Sequence, residues 1–151
     1  MVRPHFVIDL DRVIDTMIAL TRLSARHRAI VAGSDGMALY LSLRKRRFVW
    51  IATPRANSLP KEQHAVALIS RRGQPSSIEA ALDQVAPFLS RNAIIAVLIS
   101  PGERGTSLKI RNKLEQMGFR IEAGVRCHEG LVLSACRHDV RQGRIKIKYA
   151  A

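Results

Sequence analysis

Ser100-Pro-Gly-Glu-Arg-Gly105-Thr-Ser107 joins an unbroken apolar run, Ala93–Ile99, to a helix-patterned segment that stops at Gly118. A glycine-containing loop that opens a helix directs unpaired backbone amides and the positive end of the helix dipole at an anion. Gly102, Arg104, Gly105, Thr106 and Ser107 are therefore candidate ligands of a phosphate or carboxylate. The glycine spacing matches neither the P-loop nor the full dinucleotide fingerprint, so a plain strand-to-helix turn has the same look. In an open parallel sheet, ligands bind beyond the carboxyl ends of the strands. Three strand ends would deliver Arg71 and Arg72, then Ser100 to Gly105, then Arg126, His128 and Glu129. An enzyme acting on a nucleotide or phosphorylated substrate would be centred on Ser100–Ser107.

A second set of chemistry-bearing residues is basic. Arg44-Lys-Arg-Arg47 stand in a row, Arg55 follows, and between Asp35 and Glu62 there are six basic residues and no acid. Trp50 and Tyr40 lie beside them; basic residues next to aromatics hold phosphate and stack bases, although both also suit an ordinary core. Near the end, Arg141, Arg144, Lys146 and Lys148 alternate with Ile145, Ile147 and Tyr149, the pattern of a charged edge strand. The formal charge is +13, with 19 Arg against 6 Lys. Arg binds phosphate bidentately and stacks on bases, so such a surplus favours a polyanion. The leading expectation is a non-catalytic nucleic-acid-binding protein, DNA or RNA undecided. It would use Arg44, Lys45, Arg46, Arg47, Arg55, Arg71, Arg72, Arg104 and the basic C-terminal strand. An adaptor for an acidic protein partner is the further alternative.

Other combinations are thinner. His128 and Glu129 invite an acid–base reading, but two polar residues at a hairpin turn usually face solvent. Cys127, His128, Cys136 and His138 lack the knuckle spacing of a zinc site, and a metal-dependent nuclease needs clustered carboxylates where Asp35 stands alone. No metal and no cofactor are expected. With two cysteines, no hydrophobic leader and no apolar run of membrane-spanning length, a reduced cytoplasmic setting is expected.

The elements that must position these residues are legible to different degrees. Asp9 to about Arg28 keeps the spacing of an amphipathic helix through Leu10, Val13, Ile14, Met17 and Ile18. Ala29–Ala32, Met37–Leu43 and Phe48–Thr53 read as three antiparallel strands, joined by turns at Gly33–Gly36 and Arg44–Arg47. His64–Ile69 predicts a strand. Ser76 to Leu89 predicts a helix with a Ser76/Glu79 capping box and a last turn tightened by Pro87. Phe119–Arg126 and Leu131–Cys136 predict a hairpin turning at Glu129-Gly130. The fold class is α/β, with α+β character at the N-terminus. A helix and antiparallel meander precede a β-α-β-α-β-β unit, giving a mixed sheet flanked by helices. Residues 1–151 are taken as one domain, with a division available between 1–56 and 62–151.

Overall fold

The computed structural model describes residues 4–55, 59–70, 75–100 and 105–137. The elements run α1 (Pro4–Thr21), β1 (Ala29–Ala32), α2 (Gly36–Lys45), β2 (Ile51–Ala52), β3 (His64–Ser70), α3 (Pro75–Val85), β4 (Leu89–Ile99), α4 (Thr106–Gln116), β5 (Phe119–Cys127) and β6 (Gly130–Arg137). They build one six-stranded sheet in the order β2-β1-β3-β4-β6-β5. The first four of these strands are mutually parallel; β6 is antiparallel to β4 and to β5. The expected α/β class, a mixed sheet flanked by helices, is the one observed.

Each face of the sheet carries a core. Ile30, Ala67, Ile69, Ile95, Val97 and Ile99 face α3 and α4, whose Ile78, Leu82, Val85, Ile110 and Leu114 are buried there. Ala29, Val31, Val66, Leu68, Ala96 and Leu98 face α1 and α2. The alternation along β4 is the period-two signature of a strand covered on both sides, which is why its sequence reads as an unbroken apolar run. α1 ends at Thr21 rather than near Arg28. Arg22 turns left-handed (φ 57) and the Leu23 amide donates back to the Ile18 carbonyl at 3.2 Å, a Schellman-type closure.

The antiparallel meander is not formed. Met37–Leu43 is helix α2, not a strand, and β2 pairs with β1 in parallel. Leu39, Leu41 and Leu43 alternate and so read as a strand, but Leu39 and Leu43 are buried one helical turn apart while Leu41 is 53% exposed. The segment is rich in strong helix formers and has no β-branched residue, which favours helix over strand once both faces can be satisfied. Burying Leu39 and Leu43 supplies roughly 1.5–3 kcal/mol each. Arg44–Arg47 is accordingly not a hairpin turn. Arg44 and Lys45 form the last turn of α2, where basic residues complement the helix dipole.

The carboxyl-terminal ends of α3 and α4 agree with expectation, whereas α3 begins at Pro75, ahead of the expected Ser76 cap. α3 passes into a single 3-10 turn at Ala86–Phe88, where Pro87 prevents further helix. Gly118 takes φ +91 just beyond α4 and its amide donates to the Glu115 carbonyl at 3.0 Å, closing that helix. The β5–β6 turn is His128-Glu129, one residue earlier than expected, with Gly130 the first residue of β6.

Candidate functional site

The chain leaves β1 for β2 on one side, while β3 lies on the other side of β1. This is a topological switch point, the place where open α/β sheets take their ligands beyond the carboxyl ends of the strands. The loop entering it is Gly33-Ser-Asp-Gly36, the segment the sequence assigned to a hairpin turn. Gly33 has φ +98, and a Cβ there would collide with the Ser70 carbonyl oxygen and sit 3.1 Å from its carbon. The loop is thereby pressed against the end of β3. The Asp35 amide donates to the Ser70 carbonyl at 3.2 Å, and the buried Ser70 hydroxyl donates to Asp35 Oδ2 at 2.9 Å. The Gly36 amide donates to the Gly33 carbonyl at 3.1 Å, and the Asp35 carbonyl accepts from Leu39, starting α2.

Beside this loop is a cavity of about 300 Å³, lined among others by Gly33, Ser34, Gly36, Thr53, Arg55 and Gln84. That volume lies at the lower end of the range of small-molecule sites. Arg55 is the charged side chain among the described lining residues. Thr53 stands where β2 ends, twenty positions beyond Gly33, the place from which nucleotide-binding sheets of this kind present a carboxylate to ribose. Here it presents a hydroxyl.

The residues expected to form an anion loop are distributed differently. Gly105 caps α4 with φ +84, Thr106 is buried and Ser107 half-buried, at the end of β4 rather than at the switch point. Gly102, Arg104, Arg71, Arg72, Arg141, Arg144, Lys146 and Lys148 lie outside the described residues. β3 and β4 are parallel, as the shared-edge expectation required, so their carboxyl ends do lie on one edge of the sheet.

The basic run has structural partners. Arg46 forms ion pairs with Asp15 and, at 3.5 Å, with Asp11, and so latches α2 to α1. Arg44 donates to the Val49 carbonyl at 3.3 Å. Trp50 is 53% exposed, and the Arg28 guanidinium lies 5.2 Å over its ring. Tyr40 packs at the margin of the core shared with α1. Arg47 takes φ 71 beyond the α2 terminus, and Lys45 is exposed. This cluster sits at the carboxyl end of α2, whereas the cavity is at its start.

His64 is buried at the start of β3, with Nδ1 3.1 Å from the Phe88 carbonyl. Burial pulls its pKa below the usual 6.5; the Phe88 carbonyl opposes that shift and the Arg28 charge adds to it. The Cys127 thiol donates to Thr16 Oγ1 at 3.8 Å, and the Cys136 thiol to the Arg137 carbonyl at 3.7 Å. Among the described residues no cluster of three or more His, Cys, Asp or Glu side chains is placed to hold a metal, and no helix is long and apolar enough to cross a membrane.

No family model matches the sequence, and no curated protein matches it. The fold does have relatives among solved structures. The ribosomal protein L11 methylase of Lactobacillus delbrueckii subsp. bulgaricus superposes with a TM-score of 0.60 at 12% identity, over 85% of this chain and 78% of that one. The precorrin-6y C5,15-methyltransferase of Geobacter metallireducens GS-15 gives 0.58 at 14% identity, over 83% and 88%. A SAM-dependent methyltransferase of Aquifex aeolicus gives 0.57 at 12% identity, over 90% and 99%. The architecture is thus a Rossmann-like methyltransferase fold. The expectation of a non-catalytic nucleic-acid- or DNA-binding protein, founded on charge, is overturned by this likeness, which points to an enzyme fold. The alternative of an enzyme with a nucleotide-type ligand agrees better. Among the described residues, the Gly33–Gly36 loop borders the cavity of about 300 Å³ and Ser100–Ser107 does not.

Proposed function

We propose that the chain binds S-adenosylmethionine at the β1/β3 switch point and catalyses methyl transfer. The observation that carries the reading is the Gly33–Gly36 loop, seated on the Ser70 backbone by Gly33 and lining the cavity between the end of β1 and the start of α2. When bound, the cofactor supplies a methyl group on a sulfonium, an electrophile that needs only a nucleophile in line. The residues present fit it in part. The first turn of α2, from Gly36, suits the carboxylate of the methionine moiety through its amides and dipole. Arg55 adds a cation for the same group, and the Thr53 hydroxyl can hydrogen-bond the ribose. Val31, Ala32 and Met37 supply the apolar lining an adenine needs.

Calorimetric titration with S-adenosylmethionine and S-adenosylhomocysteine tests this. Gly36→Val provides the matched variant. A Cβ at Gly36 would meet only the Val31 carbonyl oxygen, at 3.9 Å, and its φ is not positive, so the backbone accepts an L-residue there, and a Tm matching that of the parent checks that the variant folds. Binding by the parent chain, weakened at least about tenfold (1.4 kcal/mol) in Gly36→Val, supports the reading. No binding of either nucleoside to the parent chain refutes it.

A further inference from the structure

The turn between β5 and β6 reaches the same edge of the sheet. β6 runs antiparallel to β4, with Leu131 opposite Ile99, so His128-Glu129 lies beyond the carboxyl end of β4. The approach is close: Gly130 has φ +144, and a Cβ there would collide with the Ile99 carbonyl oxygen. From the other side, Cys127 Sγ lies 3.8 Å from Thr16 Oγ1 of α1. Between α1 and the turn is a second cleft of about 480 Å³, to which Arg12, Asp15, Thr16, Arg126 and Glu129 contribute.

Glu129 is the anomaly of this cleft. Both of its carboxylate oxygens are buried and neither has a hydrogen-bond partner. His128 faces solvent, as expected from sequence, but the Glu129 carboxylate does not. A buried carboxylate without donors is costly, and such groups in folded proteins call for a specific explanation. Its neighbours are already engaged: Asp15 pairs with Arg46, and the Thr16 hydroxyl donates to the Arg12 carbonyl at 3.0 Å. Arg12 and Arg126 line the cleft without reaching the Glu129 oxygens. Two guanidinium groups disfavour a cationic ligand, whereas two empty acceptor oxygens demand a donor. A neutral N–H group meets both conditions.

We infer that this cleft is the acceptor site and that Glu129 receives the N–H of a neutral nitrogen nucleophile, an amide or a heteroaromatic ring. The inference rests on the methyl-transfer reading above. In the transfer, a nitrogen lone pair forms the new C–N bond (that of the amide nitrogen itself or, in the ring, the in-plane pair of the nitrogen that carries no proton), and the S–CH₃ bond breaks, leaving its electron pair on sulfur. The N–H proton passes to a Glu129 carboxylate oxygen, so the methylated product is again neutral.

The test uses the full chain and two probes differing in one N–H, benzimidazole and 1-methylbenzimidazole, at mildly alkaline pH where both are neutral. The parent chain should bind benzimidazole at least about tenfold more tightly, and Glu129→Met should abolish that preference. Glu129→Met should also raise Tm by about 3–6 °C, because it removes an unsatisfied buried acceptor from a chain of this length. With S-adenosylmethionine present, benzimidazole should be converted to its 1-methyl product, about 10²-fold more slowly in Glu129→Gln. A preference that survives Glu129→Met, a lowered Tm, or absence of the methylated product overturns the assignment while binding of S-adenosylhomocysteine leaves the cofactor reading intact. N–H binding through Glu129 in a chain that does not bind S-adenosylhomocysteine overturns the acceptor role together with the reading it rests on.

Discussion

Replacing Gly33 with Ala should be the most damaging single methyl addition in the β1–α2 loop. Two costs combine. An L-residue held at φ +98 is strained by about 1–2 kcal/mol. The added Cβ also meets the backbone of Ser70, which is fixed at the end of a central strand and cannot swing aside as a side chain would. Overpacking of that kind costs about 1–3 kcal/mol. The sum, about 2–5 kcal/mol, is a large share of the 5–15 kcal/mol that stabilises an ordinary domain. At about 2–4 °C per kcal/mol for a chain of this length, Tm should fall by roughly 4–20 °C. Gly105→Ala and Gly118→Ala are internal controls. Both glycines have positive φ (+84 and +91), but no atom lies within 4 Å of the added carbon. They should lose only the conformational part, about 1–2 kcal/mol. Urea unfolding of the three variants, with m-values compared, separates the contributions. If Gly33→Ala loses no more than Gly105→Ala, the loop is not pressed on Ser70 as described above.

Two further outcomes are expected. Thr53→Asp would place a carboxylate where the ribose hydroxyls are expected, and a charge-assisted hydrogen bond there should tighten S-adenosylhomocysteine roughly tenfold or more by calorimetry; unchanged affinity would move the ribose away from β2. His64 has a folded pKa below its ordinary 6.5, so the unfolded chain binds more protons as the solution acidifies. Its contribution is full above about pH 6.5 and is lost as pH falls toward the depressed folded value. Tm should therefore decline on acidification from near neutrality, and the slope should be shallower in His64→Gln; identical profiles would mean the histidine titrates alike in both states.

The parts of this fold that were legible are those whose periodicity has one interpretation. Ala93–Ile99 is apolar without a break and too short for a buried helix, Thr106–Met117 has a clean helical stripe, and Gly118 stands where a left-handed residue ends it. Met37–Leu43 was misread because Leu39, Leu41 and Leu43 satisfy period two, while the burial that distinguishes Leu39 and Leu43 from Leu41 exists only after α2 docks. That one error concealed the loop that borders the cavity. A glycine pair between two strands reads as a hairpin, whereas the same pair between a strand and a helix is a candidate ligand loop. The available signal was composition, since Gly36-Met-Ala-Leu-Tyr-Leu-Ser-Leu-Arg-Lys45 has no β-branched residue and many strong helix formers. Glu129 was not legible at all, because nothing local distinguishes a turn glutamate in solvent from one enclosed by α1 and the end of β4.

The arginine surplus suggested phosphate because each guanidinium was counted as available. In the folded chain several are occupied by the protein itself. Arg46 spans from α2 to two aspartates of α1, Arg28 lies over Trp50, and Arg137 lies 4.7 Å over the Phe119 ring while donating to the Leu89 and Ser90 carbonyls at 3.4 Å. These contacts use the planar face and the fixed fork that distinguish Arg from Lys, so an Arg-for-Lys bias has an internal use that needs no polyanion. Net charge constrains long-range attraction, not the identity of a site. Backbone geometry constrains a site more closely, as at Gly33. There, a positive φ, a neighbouring carbonyl and a change in strand order fix the loop beside a cavity whose described lining holds one charged residue, Arg55.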